Sequence, residues 1–323
     1  MLLRAMVPVG VALCLVFGAG PVLGADDCGL LPDLTCDREA ARFEGFPAPM
    51  SAPIYFEDPF ITTSLSAWGI YHQFPDGSVF QGGDARAAAL QVRVALTDRL
   101  ALLATKDGYL DLRPDLNLLD SEQGFLGWGF GFKYALIQLD EPRLIVSPSI
   151  RYETTNGTRD VLQGNGEGAF VPAVSAALEA GPVNVTTSIG MRLPVDGDAE
   201  SQVLFYHLLL AHPLNDWLIP FVQLGGMTYT DGGSGETLIK LGNGARLSVD
   251  TVQTALGLSS FEGYDVANLG SSTVEGDDVF SWTIGLRAQV TPNLNVGLAW
   301  ERPLTKIRHV LKQRVLVNAL FEF

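Results

Sequence analysis

The chain has 323 residues, with 36 acidic side chains against 21 basic ones and a net charge of −15. That balance excludes a general basic surface for nucleic acid. Mean hydropathy is positive, yet no run after the first 24 residues is apolar over the about 20 positions that a membrane helix needs.

In chain order, Met1 to Gly24 carries Arg4, an apolar run from Ala5 to Phe17, and small residues before Ala25. This reads as a secretory signal peptide cut after Gly24. Cys14 follows the bulky Leu13, a poor lipoprotein cleavage site. Residues 25–59 then read as a periplasmic N-terminal tail, rich in proline and acids, with at most one short helix near Asp37 to Phe43. Cys28 and Cys36 form an even pair in an exported chain, which suggests a disulfide. Two free thiols are the other reading. The proline-rich stretch is also long enough to fold back as a plug.

From residue 60 to Phe323, strand-like segments alternate with turn signals. The segments are 60–73, 86–97, 99–111, 125–138, 143–154, 168–180, 182–194, 202–213, 217–229, 279–291, 293–303 and 308–323. They exceed the five or six residues typical of soluble strands and suit the about 9–11 of a tilted membrane strand. The expected fold is an all-β, closed, antiparallel up-and-down barrel of twelve strands. Ala245 to Ser260 also alternates, so fourteen is the other count. Tight links such as Thr97-Asp98-Arg99 and Thr291-Pro292 alternate with longer ones, including 230–278. Short turns on the periplasmic side and longer loops outside are the membrane-barrel pattern.

Several strands have one bulky apolar face and one polar face. Phe280, Trp282, Ile284, Leu286 and Val290 oppose Ser281, Thr283, Gly285, Arg287 and Gln289. An Arg on the lipid face near mid-membrane costs about 2–4 kcal/mol, and a register slip of one residue would put Arg287 there. The polar face therefore lines the lumen. Its expected charges are Arg93, Lys133, Arg151, Glu153, Arg192, Arg287, Glu301, Lys312 and Arg314, with Glu179 and Glu322 on the same face. Trp128, Tyr152, Phe170, Trp282 and Trp300 fall near outer strand ends, and Phe321 and Phe323 at the inner end, as two aromatic girdles. Lys106 and Asp107 are adjacent and cannot both point inward without a bulge. Segments 202–213 and 217–229 are apolar on both faces, which implies a partly greasy or plugged lumen.

The residues of known barrel chemistry are sparse. None of His72, His207, His212 and His309 stands in a His-x-Ser arrangement, and no Gly-x-Ser-x-Gly or His-Glu-x-x-His occurs. No enzyme, catalytic residue, metal or cofactor is expected. Asp196, Asp198, Asp277 and Asp278 have the oxygens for a hard cation, but solvated acidic loops are the plainer reading. Basic lumen residues outnumber acids. They either pair across strands or line a narrow path for small anionic or polar solutes.

The alternating last ten residues, Arg314 to Phe323, with their terminal phenylalanine, resemble the closing strand of Gram-negative outer-membrane β-barrels. The resemblance implies an outer-membrane location, insertion by the barrel-assembly machinery through that strand, and contact with membrane lipid and lipopolysaccharide. The rhythm of Val94-Ala-Leu-Thr-Asp-Arg-Leu100 also resembles the putative transporters of the MetA-pathway of phenol degradation family, and carries over no binding residue. The expectation is a monomeric porin-like barrel that passes a small solute by a narrow channel. The alternatives are a barrel lipase or protease, or a structural or adhesive barrel acting through 230–278.

Overall fold

The computed structural model describes residues 42–307 and 309–323. The signal peptide, Cys28 and Cys36 lie outside the described residues. The strands are β1 (Ser64–Gln73), β2 (Gly83–Ala95), β3 (Leu100–Pro114), β4 (Glu122–Phe125), β5 (Gly129–Tyr134), β6 (Ile137–Asp140), β7 (Arg143–Glu153) and β8 (Ala169–Ala180). They continue with β9 (Val183–Pro194), β10 (Gln202–Ala211), β11 (Leu218–Asp231), β12 (Leu238–Lys240) and β13 (Arg246–Ser248). After the helix α1 (Val249–Ala255) come β14 (Asp278–Thr291), β15 (Leu294–Pro303) and β16 (Gln313–Glu322).

Neighbouring strands pair antiparallel around a closed ring. β16 pairs β1 from Ser64↔Glu322 to Gln73↔Gln313, which leaves the ring without an edge. β4, β5 and β6 act as one interrupted wall strand between β3 and β7, so the barrel has twelve strands. β12 and β13 form a separate hairpin outside it. The alternation in 245–260 is thus not a further barrel pair: it gives β13 and α1 instead. Ser248 starts that helix, its hydroxyl accepting from Thr251 N at 3.3 Å.

The faces follow the sequence alternation. Phe130, Phe132, Ile150, Val174, Ile189, Val222, Ile284 and Leu298 are exposed on the outer wall. Such a continuous apolar belt is stable only against lipid. Inside, the register of β2 and β3 slips between Leu90 and Val92, and Lys106 has φ 60°. This bulge turns both Thr105 and Lys106 inward, where Lys106 meets Glu153 at 3.2 Å.

The sequence offered two places for the tail. Residues 42–63 enter the lumen, climb to an apex near Tyr55, and return to β1. Phe46 and Phe60 pack low in the barrel with Ala101, Ala135, Ile145 and Ala177. Met50 and Phe56 pack with Leu209 and Phe221. Tyr55 stacks on Phe205 at 4.9 Å. These contacts explain why β10 and β11 are apolar on both faces: one face meets lipid and the other meets this plug.

Candidate functional site: the plugged lumen

The plug is held by side chains of the wall, not by strand pairing. A proline-rich segment cannot supply a ladder of N–H donors, so its carbonyls are met singly. Asn184 Nδ2 donates to Gly45 O at 2.7 Å, Arg287 Nε to Ala48 O at 2.7 Å, and Gln91 Nε2 to Pro53 O at 2.7 Å. Gln223 works in both directions. Its Oε1 accepts from Met50 N and Ser51 N at 3.2 Å each, and its Nε2 donates to Ser51 O at 2.9 Å. Ser175 and Ser147 donate to Glu57 O and Pro59 O, each at 2.6 Å.

Glu57 and Asp58 carry the charge. Glu57 receives a bidentate Arg93 at 2.8 and 2.7 Å and Lys133 Nζ at 2.8 Å. Asp58 takes Arg42 at 2.8 Å, and Arg42 also reaches Glu322 at 3.0 Å. Burial alone would raise the Glu57 carboxyl, but Arg93 and Lys133 outweigh it and hold the group below its ordinary value. Burial opposes ionisation of Asp58 too, and Arg42 and Lys133 again prevail, so its carboxyl lies below its ordinary value. Both acids are therefore charged at neutral pH inside the barrel.

Two glycines make room. A Cβ on Gly297 would sit 2.5 Å from Met50 Sδ, and one on Gly131 would sit 2.0 Å from Ile150 O and 2.9 Å from Arg151 Cγ. The first lets the plug seat against β15. The second lets β7 lie close against β5, with the stem of Arg151 over the glycine.

The outer half is narrowed by residues 259–271 of the long loop. Glu262 is fully buried and accepts from Gly263 N, Leu269 N and Ser201 Oγ at 2.7, 2.6 and 2.8 Å. Burial raises its carboxyl. Asp265 binds Arg314 at 2.7 Å, and Arg314 binds Glu301 at 2.6 Å. Arg192 joins Glu153 at 3.1 Å and Glu200 at 2.7 Å.

Between plug and loop a small cavity of about 70 Å³ remains against β1 to β3. Its walls are largely apolar, with Trp68, Ile70, Ala87, Ala89 and Leu110, and Lys106, Gln91 and Arg314 at its polar margins.

Arg93, Lys133, Arg151, Glu153, Arg192, Arg287, Glu301 and Arg314 are all buried in the lumen. Lys312 is not among them. It precedes β16, is 44% exposed, and pairs with Asp76 of the outer rim at 2.9 Å. β16 begins at Gln313, so Lys312 stands at the rim, its backbone N donating to Gln73 O at 2.9 Å. Trp128, Phe170, Phe321 and Phe323 are exposed, while Tyr152, Trp282 and Trp300 are half-buried among outer-wall neighbours. Gln91, Asn184, Ser147, Ser175 and Gln223 hold the plug and escaped sequence reasoning. Their only signal was an inward parity shared with many other polar residues.

The histidines serve packing and local hydrogen bonds. His72 Nε2 is 2.7 Å from Val310 O, and His212 Nδ1 is 2.6 Å from Pro182 O. His207 stacks on Phe56 at 5.1 Å. His309 Nδ1 accepts from Glu262 N at 3.2 Å. Among the described residues no group of three or more His, Cys, Asp or Glu converges to hold a metal. Asp196 instead receives Asp198 N at 3.1 Å, and Asp278 receives Thr228 Oγ1 at 2.5 Å.

No family model matches the chain, so the resemblance to the MetA-pathway family rests on strand rhythm alone. No curated protein matches it either. Among solved structures it is similar to the COG4313 outer membrane channel from Pseudomonas putida F1, at 12% identity, over 83% of this chain and 98% of that one, with a TM-score of 0.54. The KdgM porin matches at 8% identity, over 80% of this chain and 99% of that one, with a TM-score of 0.45. The fold is that of an outer-membrane β-barrel.

Proposed function

We propose that the protein is a gated channel of the Gram-negative outer membrane that passes a small solute through its lumen. The observation that carries this reading is how the lumen is closed. A permanently solid barrel of about eight strands is filled by its own wall side chains. This wall instead reaches inward to a separate segment, 42–63, through side-chain hydrogen bonds and ion pairs, with apolar packing beside them. Above that segment a cavity of about 70 Å³ is left between plug and loop. Movement of the plug joins this cavity to the periplasmic end.

A liposome-swelling assay tests the reading. Liposomes bearing the intact protein should swell faster than empty ones in small neutral solutes and show no difference in large oligosaccharides. Equal rates in every solute would overturn it.

A further inference from the structure

We infer that Arg93, Lys133 and Arg151 form an anion-binding site for a short aliphatic dicarboxylate, a site that Glu57 and Asp58 of the plug occupy in the closed barrel. The inference rests on the channel reading and names its solute class.

Arg93 pairs with Leu103, Leu103 with Gly131, and Gly131 with Arg151, in one row across β2, β3, β5 and β7. Lys133 lies two residues further along β5 on the same inward face. Gly131, at the middle of the row, lets the stem of Arg151 lie across it, with Cγ 2.9 Å from where a Cβ would stand. Three cations thus converge on one side of the lumen, each at most 8% exposed. The plug answers with two carboxylates on consecutive residues. Glu57 takes Arg93 in a two-toothed grip and shares Lys133 with Asp58, whose Oδ1 lies 3.4 Å from Nζ.

Arg151 is left over. Its Nη1 donates to Thr105 Oγ1 at 3.3 Å, and its Nε is buried without a partner. The plug therefore fills this site incompletely.

Among the described residues no wall acid pairs with Arg93 or Lys133, and the one beside Arg151, Glu153, is shared. Glu153 is taken by Lys106 and Arg192, and Glu301 by Arg314. When the plug moves, Arg93 and Lys133 lose their counter-charges together. Arginine's fork fits a carboxylate in the same bidentate way from any donor molecule. A free dicarboxylate of four or five carbons presents the two groups that consecutive acidic side chains present.

The test uses the full-length chain in planar bilayers. An E57Q/D58N variant, its folding checked by heat-modifiable migration, should be anion-selective by several-fold in a potassium chloride gradient. Adding R93Q and K133Q should bring the permeability ratio near unity. Glutarate should reduce the chloride current of E57Q/D58N at concentrations where acetate and glucose do not. In the wild-type chain, glutarate should raise the frequency of openings more than acetate at equal ionic strength, by competing with the plug. Cation selectivity, or equal effects of glutarate and acetate, would overturn the inference and leave the channel reading intact. A folded E57Q/D58N barrel without any current would overturn both.

Discussion

Glu57 and Arg93 join the N-terminal segment to the barrel wall by two parallel hydrogen bonds of 2.8 and 2.7 Å, with both side chains buried. The pair unites two parts of one chain that share no strand ladder. A buried ion pair adds little over a well-packed apolar pair, but losing one partner strands a charge, at about 3–5 kcal/mol. The plug is thus set to be held firmly while its acids are intact and released when they are removed.

Glu57→Gln should therefore loosen the plug. Amide exchange in residues 50–60 should quicken by more than about a hundredfold, the equivalent of the lost pair. Removing both partners, in E57Q/R93Q, should cost less than E57Q alone. Unchanged protection in E57Q would show that apolar contacts alone seat the plug.

Gly297 provides a second handle. Met50 Sδ occupies the place a side chain would need, and overpacking typically costs about 1–3 kcal/mol. Gly297→Val should displace Met50 while leaving β15 paired. The expected readout is a higher rate of small-solute swelling with unchanged β-sheet circular dichroism. Gly285→Val would be a poor substitute, since a Cβ there meets Phe221 of the wall itself at 2.4 Å.

Acid should loosen the mouth before the plug. Burial holds His309 at about 4, below its ordinary 6.5, so the folded loop resists a proton that the unfolded loop accepts. Stability from His309 is full above pH 6.5 and falls as pH drops toward 4. Glu57 behaves in the same direction in a lower window. Arg93 and Lys133 hold its carboxyl below the ordinary 4.5, so its contribution is full above 4.5 and is lost only as pH falls through the lower folded value. Proteolysis or exchange in residues 304–312 should rise at pH values where residues 50–60 are still protected. The opposite order would contradict this assignment of charges.

The barrel itself was legible because each strand carries its own record of two environments. Trp282 and Arg287 lie on opposite parities of β14, and only one register keeps the arginine out of lipid. The count of twelve survived because Val249–Ala255, though part of an alternating stretch, begins at a serine suited to a helix cap. The plug had two signals, the length of the proline-rich stretch and the apolar character of both faces of β10 and β11. Residues 42–63 have no period of their own, since wall side chains impose their shape. Lys312 was misplaced because parity says which way a residue faces, not where the sheet ends.

On the channel reading, residues 42–63 are the gate of the lumen. Single-channel recording in planar bilayers tests it most directly, comparing the intact chain with one lacking residues 44–58. The intact protein should give small, brief steps and the shortened chain larger, long-lived ones. A shortened chain that inserts and folds but conducts no better than the intact one would contradict it.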